Sequence, residues 1–178
     1  VSHKEEDTKK ATLLATQARD NAPHYQHTQY GYNYRMSNIV AGIGRGQLLH
    51  LDEHVALKRS IYEQYKEAFA DIEEITMNPM NPDGEANCWL SCMTLAKGCK
   101  VSPNQIMEAL AADNIESRPI WKPMHLQPVF EGYDFISTVD SEVSVGEDIF
   151  NRGLCLPSDI KNTPEDMANI ISIVRGCF

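Results

Sequence analysis

The pattern that most constrains this chain is a helical one in its first half. Ser37 can cap a helix there, and the sequence predicts a single long helix from Ser37 to about Phe69. Apolar residues follow a seven-residue rhythm along it, interrupted only by Lys58: Leu48, Leu51, Val55, Tyr62, Tyr65 and Phe69. A helix of this length must bury its stripe against a partner element. Three glycines between residues 42 and 46 weaken it, so we expect a backbone of another subunit or domain to approach there.

A small α+β unit is predicted after this helix. The turn-forming run from Asn78 to Gly84 separates the two. Two further helices have strong start signals, a capping box at Ser102 with Pro103 at the first position, and another at Thr163. The last helix carries Met167, Ile170, Ile171 and Val174 on one face. The remaining elements are a helix over 4–19, an aromatic loop over 21–35, strands over 88–95, 115–119 and 153–157, a stiff proline-rich loop over 120–128, and helical propensity over 141–152.

Charge and composition exclude several classes of protein. The chain has 25 acidic against 16 basic residues, a formal net charge of −9, and its basic residues are scattered, so no nucleic-acid partner is predicted. No run approaches the roughly 20 apolar residues that a membrane-spanning helix needs, and the charged amino terminus is unlike a secretory signal. Five cysteines without a CxxC pair indicate reduced thiols. We therefore expect a cytoplasmic protein without a membrane partner.

Most motifs that could carry chemistry are better explained by structure. The run from Gly42 to Gly46 lacks the spacing of a nucleotide loop. His50 and His54 stand four residues apart but lack the glutamate of a zinc-protease motif, so no metal site is predicted. Lys122 beside Trp121 could be a buried, reactive amine, although a surface lysine packed on an indole is commoner.

Asn33 and Arg35 form a different kind of pair. An amide and a guanidinium two residues apart in an extended segment point to the same side, an arrangement that suits a phosphate or a carboxylate. Structural hydrogen bonding is the alternative explanation for these two side chains.

Three groups of residues together resemble a known family. They are Gly31 to Ser37, then Ser117 to Pro119 with Lys122 to Pro128, and finally Leu156 to Ser158 with Thr163 to Asp166. In this order they resemble the DegT/DnrJ/EryC1/StrS family of sugar aminotransferases. The run Lys-Pro-Met-His-Leu-Gln-Pro is most similar to the branch that aminates UDP-linked 4-keto-6-deoxy-N-acetylhexosamines, which yields bacillosamine-type sugars for pilin or surface-glycan decoration.

The resemblance implies an α/β fold, with this chain as the carboxy-terminal part of the type I aminotransferase fold that depends on pyridoxal phosphate. Residues 1–36 would be a remnant of the large cofactor domain with its anion-binding loop. Residues 37–70 would be a long interdomain helix, and residues 71–178 the small α+β domain. The lysine that binds the cofactor covalently would precede Val1, because none of the nine lysines here occupies its motif.

The resemblance also implies roles for individual residues. Asn33 would reach across a homodimer interface to the cofactor phosphate of the neighbouring subunit, and Arg35 would lie near the same phosphate or the carboxylate of the amino donor. Arg118, Trp121 and His125 would shape the nucleotide-sugar side of the pocket. No metal and no catalytic residue of this chain are implied.

The resulting hypothesis is a pyridoxal phosphate-dependent transaminase that moves an amino group from glutamate to a nucleotide-linked keto-sugar in cell-surface glycan biosynthesis. This chain alone would be inactive. Two alternatives stay open. The chain could be a non-catalytic dimerisation or nucleotide-sugar-binding module on the same scaffold. It could also belong to a sugar dehydratase, in which a histidine replaces the cofactor lysine.

Overall fold

The computed structural model describes residues 2–136 and 143–178, which divide into two compact units between His50 and Leu51. The first unit contains helices α1 (Glu5–Ala15) and α2 (Asn38–Leu48). The second contains α3 (Leu51–Ala68), β1 (Ile75–Met77), β2 (Ser91–Leu95), α4 (Pro103–Ala112), β3 (Arg118–Pro119), α5 (Val145–Arg152), β4 (Gly153–Leu156) and α6 (Pro164–Arg175). Two 3-10 helices, Met124–Leu126 and Pro128–Phe130, stiffen the proline-rich loop. Among the helices formed by the described residues, none combines the length and the apolar character of a membrane span.

The long helix predicted from Ser37 to Phe69 is divided in the structure. Its start is confirmed, because the Ser37 side chain accepts a hydrogen bond from the backbone N–H of Val40 at 3.2 Å. The N–H of His50 then bonds to the carbonyl of Gln47 at 3.0 Å, a tighter turn that ends α2 before α3 begins at Leu51. Among the described residues, nothing lies within 4 Å of a Cβ placed on the three glycines of α2, so the expected backbone neighbour is not found within this chain.

The first unit is held by backbone pairing between the end of α1 and the aromatic loop. Gln17 and Ala18 have φ angles of 70° and 49°, in the left-handed region, so α1 ends at Ala15 and not near Arg19 as predicted. The chain then returns alongside this turn. The N–H of Tyr32 donates to the carbonyl of Leu14 at 2.7 Å, and the N–H of Gln17 donates to the carbonyl of Tyr32 at 3.0 Å.

The second unit is built on an antiparallel sheet with the strand order β1-β2-β4-β3. Residues that lie opposite one another share a face. One face therefore carries Met93, Leu95, Leu154 and Leu156, and the other carries Cys92, Thr94, Cys155 and Arg118. The first of these, called the inner face below, is the buried one.

Helices α3, α4 and α6 supply the apolar side chains that bury the inner face. The cluster consists of Ile61, Tyr65, Phe69, Met93, Leu95, Ile106, Leu110, Leu154, Leu156, Met167, Ile170 and Val174. Tyr65 is fully buried, its hydroxyl donates to the carbonyl of Pro157 at 2.7 Å, and burial raises the pKa of its phenol. The predicted capping boxes at Ser102 and Thr163 are confirmed, and with them the starts of α4 and α6.

The sheet differs from the prediction in its details. The three-residue edge strand β1 was not predicted, because three residues are too few to show an alternating pattern. The strand predicted over 115–119 is reduced to Arg118–Pro119, and that predicted over 88–95 begins at Ser91. Helical propensity was predicted over 141–152. The described helix is Val145–Arg152, and residues 141 and 142 lie outside the described part of the chain.

A bidentate ion pair joins the end of α6 to the chain after α3, and it predicts a dependence of stability on pH. The Arg175 guanidinium contacts both carboxylate oxygens of Asp71 at 2.7 Å and lowers the pKa of that carboxyl to about 2. Because the pKa of Asp71 is lower in the folded chain than its ordinary value of 3.8, the ion pair stabilises the fold at pH values above about 3.8. This stabilisation is lost as the pH falls towards 2, because the carboxyl then becomes protonated in the folded chain as well. We expect Asp71→Asn to lower the free energy of unfolding slightly at pH 6 and to flatten its fall between pH 4 and 2. Urea denaturation at a series of pH values across this range measures the free energy of unfolding of both chains.

Glu73→Gln is the matched control, because Glu73 is an exposed carboxylate two residues away. It should leave the acid limb of the stability profile unchanged. An acid limb as steep in Asp71→Asn as in the parent chain would contradict the ion-pair assignment.

Candidate functional site

A cleft of about 340 Å³ lies beside β3 and the carboxyl end of β4. Its wall combines residues from three separate segments: Trp89 and Leu90, then Glu116 to Pro119 with Trp121, and then Cys155 to Ser158. The buried strand β4 fixes the last of these segments, since Leu154 and Leu156 are anchored in the core while Cys155 points the other way.

The aromatic part of this cleft is a pair of indole rings. Trp89 and Trp121 stack with ring centroids 5.9 Å apart and an interplanar angle of 30°. Both are more than 60% exposed, at 61% and 62%, so their faces are available to a ligand. An exposed pair of large aromatic rings is a suitable surface for a planar or ring-shaped ligand. These two residues are the only tryptophans of the chain.

The polar part of the cleft is centred on Arg118. Its guanidinium pairs with the Glu116 carboxylate, with an Nη2–Oε1 distance of 2.7 Å and an Nε–Oε1 distance of 2.9 Å. Both side chains are exposed, so the pair holds the guanidinium in place without making it inaccessible. Between them, the buried hydroxyl oxygen of Ser117 has no hydrogen-bond partner among the described residues.

His125 occupies a separate pocket of about 210 Å³, lined also by Met124, Phe130, Tyr133 and Asp134. Its ring stacks on Phe135 with centroids 3.8 Å apart, and its Nε2 lies 3.3 Å from the hydroxyl of Ser144, the cap of α5. The structure thus brings Arg118 and Trp121 into one cleft and places His125 in another. Lys122, considered above as a reactive amine, is exposed.

Asn33 and Arg35 lie exposed in the first unit and line neither cleft. The N–H of Tyr34 donates to the carbonyl of Ala15 at 3.1 Å, which together with the bonds of Tyr32 keeps the segment extended. The rings of Tyr32 and Tyr34 stack with centroids 5.2 Å apart and stand on one side of it, so the alternate residues Asn33 and Arg35 point to the other. Within residues 2–136 and 143–178, neither side chain has a hydrogen-bond or ion-pair partner, so both donors are free for an anion.

The sequence predicted only two of the eleven residues that line the main cleft, Arg118 and Trp121. Trp89, Ser117, Cys155 and Ser158 were not predicted as site residues, and of these Ser117 and Ser158 carried a signal, because each stands in a family-like motif. The others reach the cleft through strand pairing. In the same described ranges, no cluster of three or more His, Cys, Asp or Glu side chains could hold a metal ion.

The main cleft thus combines a pair of exposed aromatic rings with a guanidinium, on a scaffold of mixed helix and sheet. The chain belongs to the DegT/DnrJ/EryC1/StrS aminotransferase family, whose family profile matches residues 1–175. It is 44% identical over its whole length to EpsN of Bacillus subtilis, which carries the name of a pyridoxal phosphate-dependent aminotransferase. It is 32% identical over 92% of its length to the GDP-perosamine synthase of Caulobacter vibrioides. The chain spans about half the length of these relatives, 45% and 43%.

Solved structures confirm the predicted fold. The pyridoxal phosphate form of the sugar aminotransferase Spr1654 from Streptococcus pneumoniae superimposes with a TM-score of 0.80, at 19% identity, over 99% of this chain and 45% of that one. DesV from S. venezuelae gives a TM-score of 0.81, at 20% identity, over 99% and 45%. The chain therefore has the fold of part of a pyridoxal phosphate-dependent aminotransferase.

Proposed function

We propose that the protein to which this chain belongs is a sugar aminotransferase that moves an amino group from glutamate to a nucleotide-linked 4-keto-6-deoxy sugar, with UDP as the nucleotide. The cleft of Arg118 and Trp121 carries this proposal. Stacked indoles can hold the planar base or the apolar face of a sugar, while the guanidinium can pair with a diphosphate. The product would enter cell-surface glycan biosynthesis, including protein glycosylation, in the cytoplasm.

Asn33 and Arg35 fit the phosphate of pyridoxal phosphate. Their free amide and guanidinium are donors on one side of an extended segment, and a phosphoester accepts hydrogen bonds from both. The cofactor, when bound, supplies the carbanion chemistry of amino-group transfer. In our proposal these residues orient the phosphate of the neighbouring subunit in a homodimer, and Arg35 could also meet the carboxylate of the amino donor. His125 would border the nucleotide-sugar side from its own pocket.

Tryptophan fluorescence tests the cleft directly, because both tryptophans of the chain line it. UDP-N-acetylglucosamine is a stable probe, and GDP-mannose tests the nucleotide. We expect saturable quenching, with tighter binding of the UDP sugar. Arg118→Ala and Trp121→Ala should each weaken binding by about 5- to 150-fold, since a charge-assisted hydrogen bond or a base stack contributes about 1–3 kcal/mol.

Arg45→Ala is the matched control, as it removes an exposed arginine of α2 and should leave the affinity unchanged. Absence of saturable quenching by either nucleotide sugar would contradict the assignment of the cleft. The same samples, given pyridoxal phosphate and glutamate, should not transaminate, because none of the nine lysines lies in the cofactor motif. If the chain alone transaminates, and changing one of its lysines to alanine abolishes that activity, the predicted inactivity is wrong.

A further inference from the structure

Two thiols face each other on the central strands of the sheet. Cys92 of β2 lies directly opposite Cys155 of β4, and their Sγ atoms are 3.5 Å apart. Cys92 is partly exposed, whereas Cys155 is largely buried and forms part of the wall of the main cleft. The two residues are 63 positions apart in the sequence.

The backbone around Cys92 shows what kind of strand pair this is. Its N–H donates to Oδ1 of Asn78 at 2.9 Å and its carbonyl accepts from the N–H of Asn78 at 2.8 Å, both on the β1 side. The backbone groups of Cys92 thus point away from β4. In the antiparallel ladder of β2 and β4, Cys92 and Cys155 are therefore a pair whose backbones are not hydrogen-bonded to each other. In such pairs the Cα atoms are about 4.5 Å apart, within the range of roughly 4.4–6.8 Å that a disulfide bridges.

We propose that Cys92 and Cys155 are an oxidative modification site, at which hydrogen peroxide converts the thiol pair into a reversible disulfide across β2 and β4. The backbone already has the required spacing. The bond therefore needs only the two side chains to close from 3.5 Å, without a change of strand register.

The surroundings of the two thiols assign their roles. The hydrogen bond with Cys92, and then the nearby Arg118 guanidinium, lower the pKa of Cys155 against the opposing effect of its burial. The same hydrogen bond, with burial, raises the pKa of Cys92. Cys155 lines the cleft and lies opposite Arg118 on the same face of the sheet, where the guanidinium favours a thiolate, so we assign Cys155 as the attacking thiol and Cys92 as the resolving one. The cleft gives the peroxide its path to Cys155.

The reaction balances in two steps. The Cys155 thiolate attacks one peroxide oxygen, the O–O bond breaks, and a sulfenic acid and hydroxide form. The Cys92 sulfur then attacks the sulfenic sulfur, the S–O bond breaks, and water leaves as the disulfide forms. Overall, two thiols are oxidised and one peroxide is reduced to two waters. A thiol reductant reverses the modification by exchange.

Peptide mapping tests the site. The chain is treated with equimolar hydrogen peroxide, its remaining thiols are alkylated, and it is digested with trypsin without reduction. We expect residues 67–97, which contain Cys92, to be linked to residues 153–161, which contain Cys155, and the link to vanish after reduction. Cys88 lies in the same tryptic peptide as Cys92, so Cys88→Ser is the matched control and should keep the link.

Two single variants test the order of the steps. In Cys92→Ser, Cys155 should accumulate a sulfenic acid that dimedone labels, whereas in Cys155→Ser, Cys92 should stay unlabelled. The parent chain is sufficient to test whether Cys92 and Cys155 form the disulfide, because fragment ions of the linked peptide distinguish Cys88 from Cys92. Failure to form the link in the folded parent chain, or a link through Cys88, would overturn the proposal. Labelling of Cys92 in Cys155→Ser would overturn the assigned roles.

Discussion

Gly31→Ala is expected to open the loop that carries Asn33 and Arg35, at a cost of about 3 kcal/mol to the first unit. A Cβ at this position would lie 2.1 Å from the carbonyl carbon of Gln17 and 2.3 Å from the nitrogen of Ala18. Both neighbours are backbone atoms, which cannot rotate aside as a side chain would. The segment must therefore move away from the turn after α1 and lose the hydrogen bonds of Tyr32.

Hydrogen exchange measures this opening residue by residue. The amides of Gln17 and Tyr32 should exchange about a hundredfold faster in the variant, since about 1.4 kcal/mol corresponds to each factor of ten. Gly42→Ala is the control, and we expect it to stabilise its helix instead of opening a loop. Nothing described lies within 4 Å of its Cβ, and alanine favours a helix interior by up to about 1 kcal/mol. Unchanged exchange at Tyr32 in Gly31→Ala would contradict the close packing of this turn.

Leu154→Ala is expected to lower the free energy of unfolding of the second unit by about 2–5 kcal/mol. Leu154 is fully buried on β4, a strand paired on both sides, and lies opposite Met93 in the inner face of the sheet. The cavity left by its side chain would be walled by paired strands and packed helices, which have little freedom to collapse. Because domains are typically stable by only about 5–15 kcal/mol, this loss would be a large fraction of the total.

Urea denaturation followed by circular dichroism gives the measurement. Leu57→Ala is the matched control, as Leu57 lies on α3 with 40% of its surface exposed, and we expect it to cost less than about 1 kcal/mol. Equal losses in the two variants would show that Leu154 is not part of a tightly packed core.

The features that the sequence predicted well are those with local causes. The capping boxes at Ser102 and Thr163 started α4 and α6 where expected, because a cap is made by residues three positions apart. Motifs in family order identified the fold and the family. The extended arrangement of Asn33 and Arg35 was also accessible, since alternation along an extended segment is a local property.

Features that depend on distant neighbours could only come from the tertiary structure. The sequence gives no reason to expect a break at Leu49 and His50, since the apolar rhythm continues across it. The stack of Trp89 on Trp121 and the thiol pair of Cys92 and Cys155 depend on strand register. Register is set by which faces pack against α3, α4 and α6, and this packing joins residues that no local pattern relates. The sequence by itself therefore determined the capped starts of α2, α4 and α6 and the family, because caps and motifs are local, whereas packing of the sheet decided which side chains share the cleft.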